Sequence, residues 1–282
     1  MMQKKILVLG GTGLLGAPVA RRLQADGFGV RILARDTGKA GQLFDESFEI
    51  AAGDATDCES VKQAMMGCAG VHLTLNGEAE LIGAQHVASL ARTMGVERIT
   101  YISGATACEE NRWFPMTDAK MRAEEAIQQS GVPYTIFCPT WPMEMLVRYA
   151  RGGQPFLIGD RFDPIHFFAA DDMARMISTA YQTDDAENRR LIVHGPQAIS
   201  MPDALHRYCA ALYPNAEDIQ IIPVEVAKGI AAQTGNKLLE FGAAITGYFE
   251  KVGELGDPSE ANALLGAPSV TLDDWLAAQH VN

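Results

Sequence analysis

The sequence predicts an α/β protein built on a doubly wound parallel sheet, with a smaller and mostly helical lobe at its C-terminal end. Two observations predict this fold class. Short, continuously apolar runs recur through the first 140 residues, as expected for parallel strands covered on both faces. Segments with one apolar stripe at helical spacing separate these runs, so strands and helices alternate. The chain has 282 residues, enough for one large or two fused units.

Six strands are predicted in the first 140 residues, and glycines at 27, 95 and 131 end three of the helices between them. The predicted strands are Lys5–Leu9, Val30–Ala34, Phe48–Ala51, Gly70–Leu75, Arg98–Ile102 and Tyr134–Cys138.

Beyond about residue 140, prolines and glycines interrupt this rhythm. Further strands are expected at Ile165–Ala169 and Arg190–His194, and Ser200 and Thr271 are predicted to be helix N-caps. Residues 1–140 are therefore predicted to form the main domain. Residues 141–282 are predicted to form a smaller substrate-side lobe that partly shares the main sheet.

Composition narrows the range of partners. The formal net charge is -12, and no cluster of basic residues offers a face for a phosphate backbone, so nucleic acid is not an expected partner. The five cysteines include no C-x-x-C pair, so neither a disulfide framework nor a metal site is predicted. The apolar run Ile6–Leu9 is too short for a signal peptide, and no stretch has the length of a membrane span. A cytoplasmic protein is expected.

A glycine-rich loop follows the first predicted strand. Gly10, Gly13 and Gly16 form G-x-x-G-x-x-G between a strand and an amphipathic helix. Glycine allows the tight turn and the close approach of backbone to a pyrophosphate, and the helix N-terminus then offers free N–H groups and a positive dipole. The loop predicts that residues 1–140 are an NAD(P)-binding, Rossmann-type domain.

The end of the second strand indicates which dinucleotide is bound. NAD-preferring sites place an Asp or Glu there to bind the ribose hydroxyls, whereas this position carries Arg35. A guanidinium can form bidentate hydrogen bonds with a 2′-phosphate. NADP(H) is therefore predicted in preference to NAD(H). Two alternatives stay open: Arg35 is a solvated cation, or Asp36 binds the ribose in a shifted register.

Five motifs resemble, in their order, those of the short-chain dehydrogenase/reductase superfamily: G-G-T-G-L-L-G, V-R-I-L-A-R-D, A-A-G-D-A-T-D, G-V-E-R-I-T-Y-I-S-G and S-G-V-P-Y-T-I-F-C-P-T. The set is most similar to the atypical, NmrA-like branch. The resemblance implies that the pyrophosphate contacts are Gly10, Thr12, Gly13, Leu14 and Leu15. It further implies that Arg35 holds the 2′-phosphate, that Asp54 and Ala55 flank the adenine, and that Thr74 and Leu75 line the cofactor cleft.

The catalytic residues that the resemblance implies are incomplete. Classical members use Ser, Tyr and Lys, with Tyr and Lys four residues apart so that both face the cofactor. Here the segment reads P-M-T-D-A-K, so Lys120 is in place to hold the nicotinamide ribose but Met116 stands at the tyrosine position. Ser103 matches the serine approximately. Methionine has no proton to transfer, which removes the usual acid.

Other residues could supply the missing acid or shape the substrate site. Tyr101, Tyr149 and His166 are candidates for the acid, although Tyr101 within a strand and His166 between apolar neighbours are also compatible with structural roles. Trp141 and Met143, like other aromatic residues and methionines nearby, would suit a flat apolar ligand or ordinary core packing.

These observations favour an NADPH-dependent reductase of a small apolar acceptor such as a quinone, which needs no proton from the enzyme in the hydride step. The alternative is a non-catalytic, NADP(H)-sensing regulatory protein of NmrA type with a protein partner, because a missing tyrosine fits that role equally. A sugar-nucleotide epimerase or dehydratase would normally need the absent tyrosine.

Overall fold

The structure is a computed structural model, and it describes residues 3–213 and 215–279. The chain divides into two compact units. The first unit comprises Met1–Pro139, Ala170–Val193 and Asp257–Ala267. The second comprises Thr140–Ala169, His194–Gly256 and Pro268–Asn282.

The described residues form strands β1 (Lys5–Leu9), β2 (Gly29–Ala34), β3 (Glu49–Ala52), β4 (Gly70–Leu73), β5 (Arg98–Ile102), β6 (Tyr134–Pro139), β7 (Trp141–Pro142), β8 (Phe156–Ile158), β9 (Ile165–Phe168), β10 (Arg189–Val193), β11 (Gln197–Ile199) and β12 (Gln220–Ile222).

The helices are α1 (Gly16–Ala25), α2 (Thr37–Leu43), α3 (Cys58–Met65), α4 (Glu78–Ala91), α5 (Pro115–Gln129), α6 (Ala170–Ala180), α7 (Met201–Leu212), α8 (Val224–Thr234), α9 (Lys237–Val252), α10 (Ser259–Leu265) and α11 (Leu272–Gln279). Short 3-10 helices span Glu109–Asn111, Met143–Arg148, Arg151–Gly153 and Asp184–Ala186.

The first unit contains a seven-stranded sheet in the order β10-β6-β5-β4-β1-β2-β3. All neighbouring strands are parallel, and the strand order reverses direction between β1 and β4. In open α/β sheets, this switch point is where ligands bind, beyond the carboxyl ends of the strands. The predicted doubly wound parallel fold is confirmed, and each of the six predicted strands is present within one or two residues of its expected bounds.

Apolar side chains on both faces of this sheet hold the first unit together. Leu7, Val71, Ile99 and Ile136 on successive strands are fully buried against the stripes of the flanking helices. Each such side chain contributes roughly 1.5–3 kcal/mol of burial free energy. The carboxyl ends of the strands are thereby held in a fixed row.

The first unit takes up two segments from beyond residue 140. One carries α6 and β10, and β10 pairs with β6 to extend the main sheet. The other carries α10, whose end is held by hydrogen bonds from Arg175 to the carbonyls of Leu265 and Gly266. The division at residue 140 into a cofactor domain and a substrate-side lobe stays a prediction.

The second unit is built from short strands and helices. Its sheet has the order β11-β9-β7, and β12 pairs with β8 in a separate ribbon. Ser200 accepts a hydrogen bond from the Asp203 amide at the start of α7, and Thr271 does the same for Asp274 before α11. Both predicted N-caps are confirmed.

Among the residues that the structure describes, no helix has the length and apolar character needed to cross a membrane.

Candidate functional site

The loop after β1 leaves no space for side chains at two of its glycines. Gly10 has φ +84°, and a Cβ there would lie 2.1 Å from the Thr74 carbonyl oxygen. A Cβ on Gly16 would lie 2.2 Å from the Gly10 carbonyl oxygen. The amide of Gly13 donates to that same carbonyl at 2.9 Å and closes the turn. The loop is therefore packed tightly over Thr74, which follows β4, at the switch point of the sheet.

The helix that follows begins without a side-chain cap. Leu15 at the N-cap makes no capping hydrogen bond, and the first turn of α1 carries no acidic residue. The amides of Thr12 and Leu14 lie in the loop just before it, and Leu14 is exposed. Free N–H groups and the positive end of the helix dipole suit a pyrophosphate. This loop, which added Cβ atoms would fill, fits the backbone of a dinucleotide.

Arg35 is exposed directly after β2 and forms no hydrogen bond or ion pair within the described part of the chain. Hydrogen bonds from the Thr56 amide and hydroxyl, each 2.9 Å long, lower the pKa of Asp54, and the charge of Arg35 adds to this effect. Asp36 accepts a hydrogen bond from the Lys39 amide and caps α2. Arg35 therefore has free donors for a phosphate, whereas Asp36 already has a structural role.

Ala55 and Leu75 meet beside Gly83 of α4. A Cβ on Gly83 would lie 2.6 Å from Leu75 Cδ1 and 3.4 Å from Ala55 Cβ. The Ala55 carbonyl also lies 3.1 Å from His86 Nδ1, one helical turn further along. The structure thus brings together Ala55, expected at the adenine, and Leu75, expected in the cofactor cleft. Gly83 and His86 are neighbours that the sequence argument missed.

Lys120 is held by a buried carboxylate. Its Nζ lies 2.5 Å from Oε1 of Glu80 in α4, and the same oxygen accepts a hydrogen bond from the Tyr101 hydroxyl at 2.8 Å. Glu80 is only 3% exposed. The sequence argument missed Glu80, although its place on the buried stripe of α4 with Ala84 and Val87 was a signal. Much of the charge of Lys120 is balanced within the protein.

Tyr101 is not placed to act as the missing acid. Its ring is fully buried, and burial together with the charge and hydrogen bond of Glu80 raises its pKa well above the usual value. Its hydroxyl proton is donated to Glu80. Met116 lies on α5 one turn before Lys120, so the position normally taken by tyrosine carries a thioether.

The Ser103 hydroxyl also donates to a buried carboxylate, Oε1 of Glu124. Arg190 balances that carboxylate, with Nε 2.8 Å from Oε2. Nearby, burial and the charge of Glu124 raise the pKa of Cys138 to about 12. The serine at the approximate catalytic position is therefore part of a structural hydrogen-bond network.

The remaining candidates lie in the second unit. Burial raises the pKa of Tyr149 to about 12. His166 lies 2.5 Å, through Nδ1, from a carboxylate oxygen of Glu254. Met143 is buried in the core of this unit, and Trp141 packs edge-on against Phe249. Met143 is therefore a core residue, whereas Trp141 is only partly buried against that core.

The chain is similar in sequence to a known protein family and to individual proteins. Residues 10–154 match the family described as NAD(P)H-binding. An NAD(P)H azoreductase from Xenophilus azovorans is 26% identical over 240 residues, which cover 82% of this chain and 80% of the relative. The photosystem II assembly factor Ycf39 from Trieres chinensis is 22% identical, with coverage of 79% and 73%.

Two solved structures share the fold. The triphenylmethane reductase from Citrobacter sp., solved with NADP(H), is 20% identical with a TM-score of 0.77, covering 97% of this chain and 99% of that one. The NADPH-dependent quinone oxidoreductase from Escherichia coli, solved with NADPH, is 19% identical with a TM-score of 0.78, covering 98% and 99%.

Proposed function

The chain belongs to the NAD(P)H-binding family as an atypical, NmrA-like member of the short-chain dehydrogenase/reductase superfamily, and we propose that it is an NADPH-dependent reductase of a small, flat, apolar acceptor such as a quinone. Bound NADPH supplies a hydride. The single observation that carries this proposal is a glycine-rich loop shaped for a dinucleotide, in a chain that has Met116 where the usual proton donor, a tyrosine, would stand.

We infer that the cofactor is held along the carboxyl edge of the sheet. The uncapped start of α1 with its loop binds the pyrophosphate, and Arg35 binds the 2′-phosphate with donors that no described residue uses. Asp54 and Ala55 flank the adenine, and Thr74 and Leu75 line the cleft. Lys120 keeps two N–H groups beyond its contact with Glu80 and can hold the nicotinamide ribose. The free cation at residue 35 supports NADP(H) over NAD(H).

The hydrogen bonds of the nearby hydroxyl groups favour an acceptor that needs no proton from the protein. Tyr101 donates to Glu80 and Ser103 donates to Glu124, so neither hydroxyl is free to protonate the alkoxide that a simple ketone would form on accepting hydride. A quinone that accepts hydride becomes a delocalised hydroquinone anion, which water can protonate afterwards. A cationic triphenylmethane dye accepts hydride at its central carbon and becomes neutral with no proton at all. The triphenylmethane reductase and the NADPH-dependent quinone oxidoreductase are named for acceptors of these two classes.

The test is NADPH oxidation, followed at 340 nm, with a panel of quinones, a triphenylmethane dye and a saturated ketone of similar size. We expect turnover with members of the first two groups and none with the ketone. NADH in place of NADPH should give a lower kcat/KM. Absence of turnover with every quinone and with the dye would contradict the proposal, and preferential ketone reduction would show that an acid is present.

A second candidate, a regulatory protein that senses NADP(H), is favoured by one observation. The Lys120–Glu80 pair neutralises the lysine that lowers the pKa of the tyrosine in catalytic members, in a chain that also lacks the tyrosine. One relative, the photosystem II factor, is described by assembly and not by a reaction. Affinity capture with NADPH or with NADP+ tests this candidate: a protein partner retained in one state only would support it.

A further inference from the structure

Three potential metal ligands converge in the second unit. His166 lies on β9, His194 follows β10 in sequence, and Glu254 follows α9. Their ligand atoms all lie within 4.8 Å of one another. The two imidazole rings are stacked, with centroids 5.2 Å apart. The residues are far apart in sequence, which is why no zinc-binding spacing is visible in the chain.

The backbone holds these side chains in place. A Cβ on Gly195 would lie 1.7 Å from the Phe167 carbonyl oxygen, so the segment carrying His194 is packed directly against β9. Gly253 adopts φ +70° after α9 and turns the chain so that Glu254 points back. Glu254 Oε2 then accepts a hydrogen bond from the His166 amide at 2.6 Å.

The hydrogen bonds of His194 leave one nitrogen facing a carboxylate. Its Nε2 lies 3.1 Å from the Leu255 carbonyl oxygen, and because a carbonyl only accepts, Nε2 carries the hydrogen. In the neutral ring, Nδ1 therefore presents a lone pair, and it lies 3.5 Å from Glu254 Oε1. A lone pair and a carboxylate oxygen at this separation repel each other unless a proton or a metal ion lies between them.

We propose that His166, His194 and Glu254 bind a zinc ion through Nδ1, Nδ1 and Oε1. Two imidazoles and one carboxylate are a ligand set that zinc takes, with bonds of about 2.0–2.2 Å. Ligand atoms on one tetrahedral zinc are thus roughly 3.3 Å apart, close to the 3.5 Å between His194 Nδ1 and Glu254 Oε1. The shorter distance of 2.5 Å between His166 Nδ1 and Glu254 Oε1 opens when zinc replaces the hydrogen between them.

Two further features support this assignment. Metal-bound histidines usually donate their second N–H to a carbonyl or carboxylate, as His194 does to Leu255. His166 retains 35% side-chain exposure, so an ion can enter and a water molecule can complete the coordination. The zinc assignment does not rest on the proposed reductase function, because it is argued only from contacts within the second unit. It would tie β9 to the segments after β10 and α9.

Metal uptake by the full chain tests the proposal. The protein is stripped with a chelator, dialysed against buffered Zn2+, and its zinc content is measured by elemental analysis. We expect one zinc per chain for the wild type. Glu254→Gln and His166→Gln should each weaken binding by at least about 100-fold. His206→Ala, on the exposed face of α7, is the matched control and should bind as the wild type does.

A thermal melt with and without Zn2+ gives a second readout. Binding to the folded chain raises the melting temperature of the wild type and of His206→Ala, and leaves the two ligand variants unchanged. His166 is partly exposed, so we expect its variant to fold, and that variant decides the outcome if Glu254→Gln does not fold. Wild-type protein without stoichiometric zinc, or ligand variants that bind zinc as tightly as the wild type, would overturn the proposal.

Discussion

At Gly10 and Gly16, the absence of a side chain is what allows the loop to pack closely. At both positions the nearest backbone oxygen is little more than 2 Å from where a Cβ would lie, so any side chain forces the loop away from Thr74. The same close packing lets backbone N–H groups approach a pyrophosphate. We therefore expect stability and cofactor binding to depend on the same two residues.

Gly10→Ala is expected to lower the free energy of unfolding by about 2 kcal/mol or more, since it adds a backbone clash at a positive φ. NADPH binding should be lost with it. Gly41→Ala is the matched control: Gly41 lies in α2 with ordinary φ and nothing within 4 Å of the added Cβ. The control should be neutral or stabilising by up to about 1 kcal/mol. Urea unfolding compares the two, and equal effects would contradict the account of the loop.

We expect Arg35 to determine the choice of dinucleotide. Arg35→Ala should weaken NADPH binding by about 10- to 100-fold, the effect of losing charge-assisted hydrogen bonds to a phosphate. NADH binding should hardly change, because NADH has no 2′-phosphate. Calorimetric titration of both cofactors measures the difference. Arg122→Ala, which removes an exposed arginine of α5, controls for net charge, and an Arg35→Ala variant that loses both cofactors equally would refute the assignment.

At the scale of elements, α4 and α5 are joined by a buried charge. Lys120 of α5 and Tyr101 of β5 both bond to one oxygen of Glu80 in α4. Removing the carboxylate leaves a largely buried ammonium without its counter-charge. The pair therefore joins the two helices to each other and to β5.

Glu80→Gln is expected to lower the free energy of unfolding by about 2–4 kcal/mol, as for other buried ion pairs that lose one partner. Glu78→Gln changes an exposed carboxylate of the same helix and should have an effect within about 0.5 kcal/mol. Chemical denaturation of both variants distinguishes these outcomes. Similar, small effects would mean that the Lys120–Glu80 pair contributes little.

A second buried hydrogen-bond network joins strands β4 and β5. His72 Nδ1 lies 2.8 Å from Thr100 Oγ1, which lies 2.9 Å from the Tyr181 hydroxyl. Within the described residues, His72 Nε2 has no hydrogen-bond partner. Burial lowers the pKa of His72 to about 3, so the folded protein keeps this ring neutral.

The low pKa of His72 predicts a loss of stability in acid. Between pH 6.5 and about 3, the unfolded chain binds a proton at this residue that the folded protein does not. The free energy of unfolding therefore falls as the pH falls, by up to about 1.4 kcal/mol per pH unit from this residue. His72→Asn should reduce that slope in urea unfolding between pH 7 and pH 5. Equal slopes would show that His72 is protonated in the folded state.

At the scale of the whole molecule, the main sheet and the cofactor loop were predictable because their signals are local. Continuous apolar runs and glycine spacing lie within a few residues of each other, and the expected strands match β1 to β6. The N-caps at Ser200 and Thr271 were predictable for the same reason.

The remaining features depend on contacts between distant residues. The pairing of Lys120 with Glu80, and of Ser103 with Glu124, follows from tertiary packing that no local pattern shows. The strands β7, β8, β11 and β12 have two or three residues each, too few to display alternation. The cluster of His166, His194 and Glu254 likewise arises only after folding. The sequence predicted a cofactor loop but not the hydrogen-bond partners of Lys120 and Ser103.

The central claim is hydride transfer without a proton from the protein, and one measurement tests it most directly. NADPH deuterated at C4 of the nicotinamide, on the transferred face, is incubated with the protein and a cationic triphenylmethane dye, and the colourless product is analysed by mass spectrometry. The account predicts one deuterium on the central carbon for each NADPH oxidised. Two results together would contradict the account. The dye is recovered unchanged and without deuterium from protein that binds NADPH, and no quinone is reduced either.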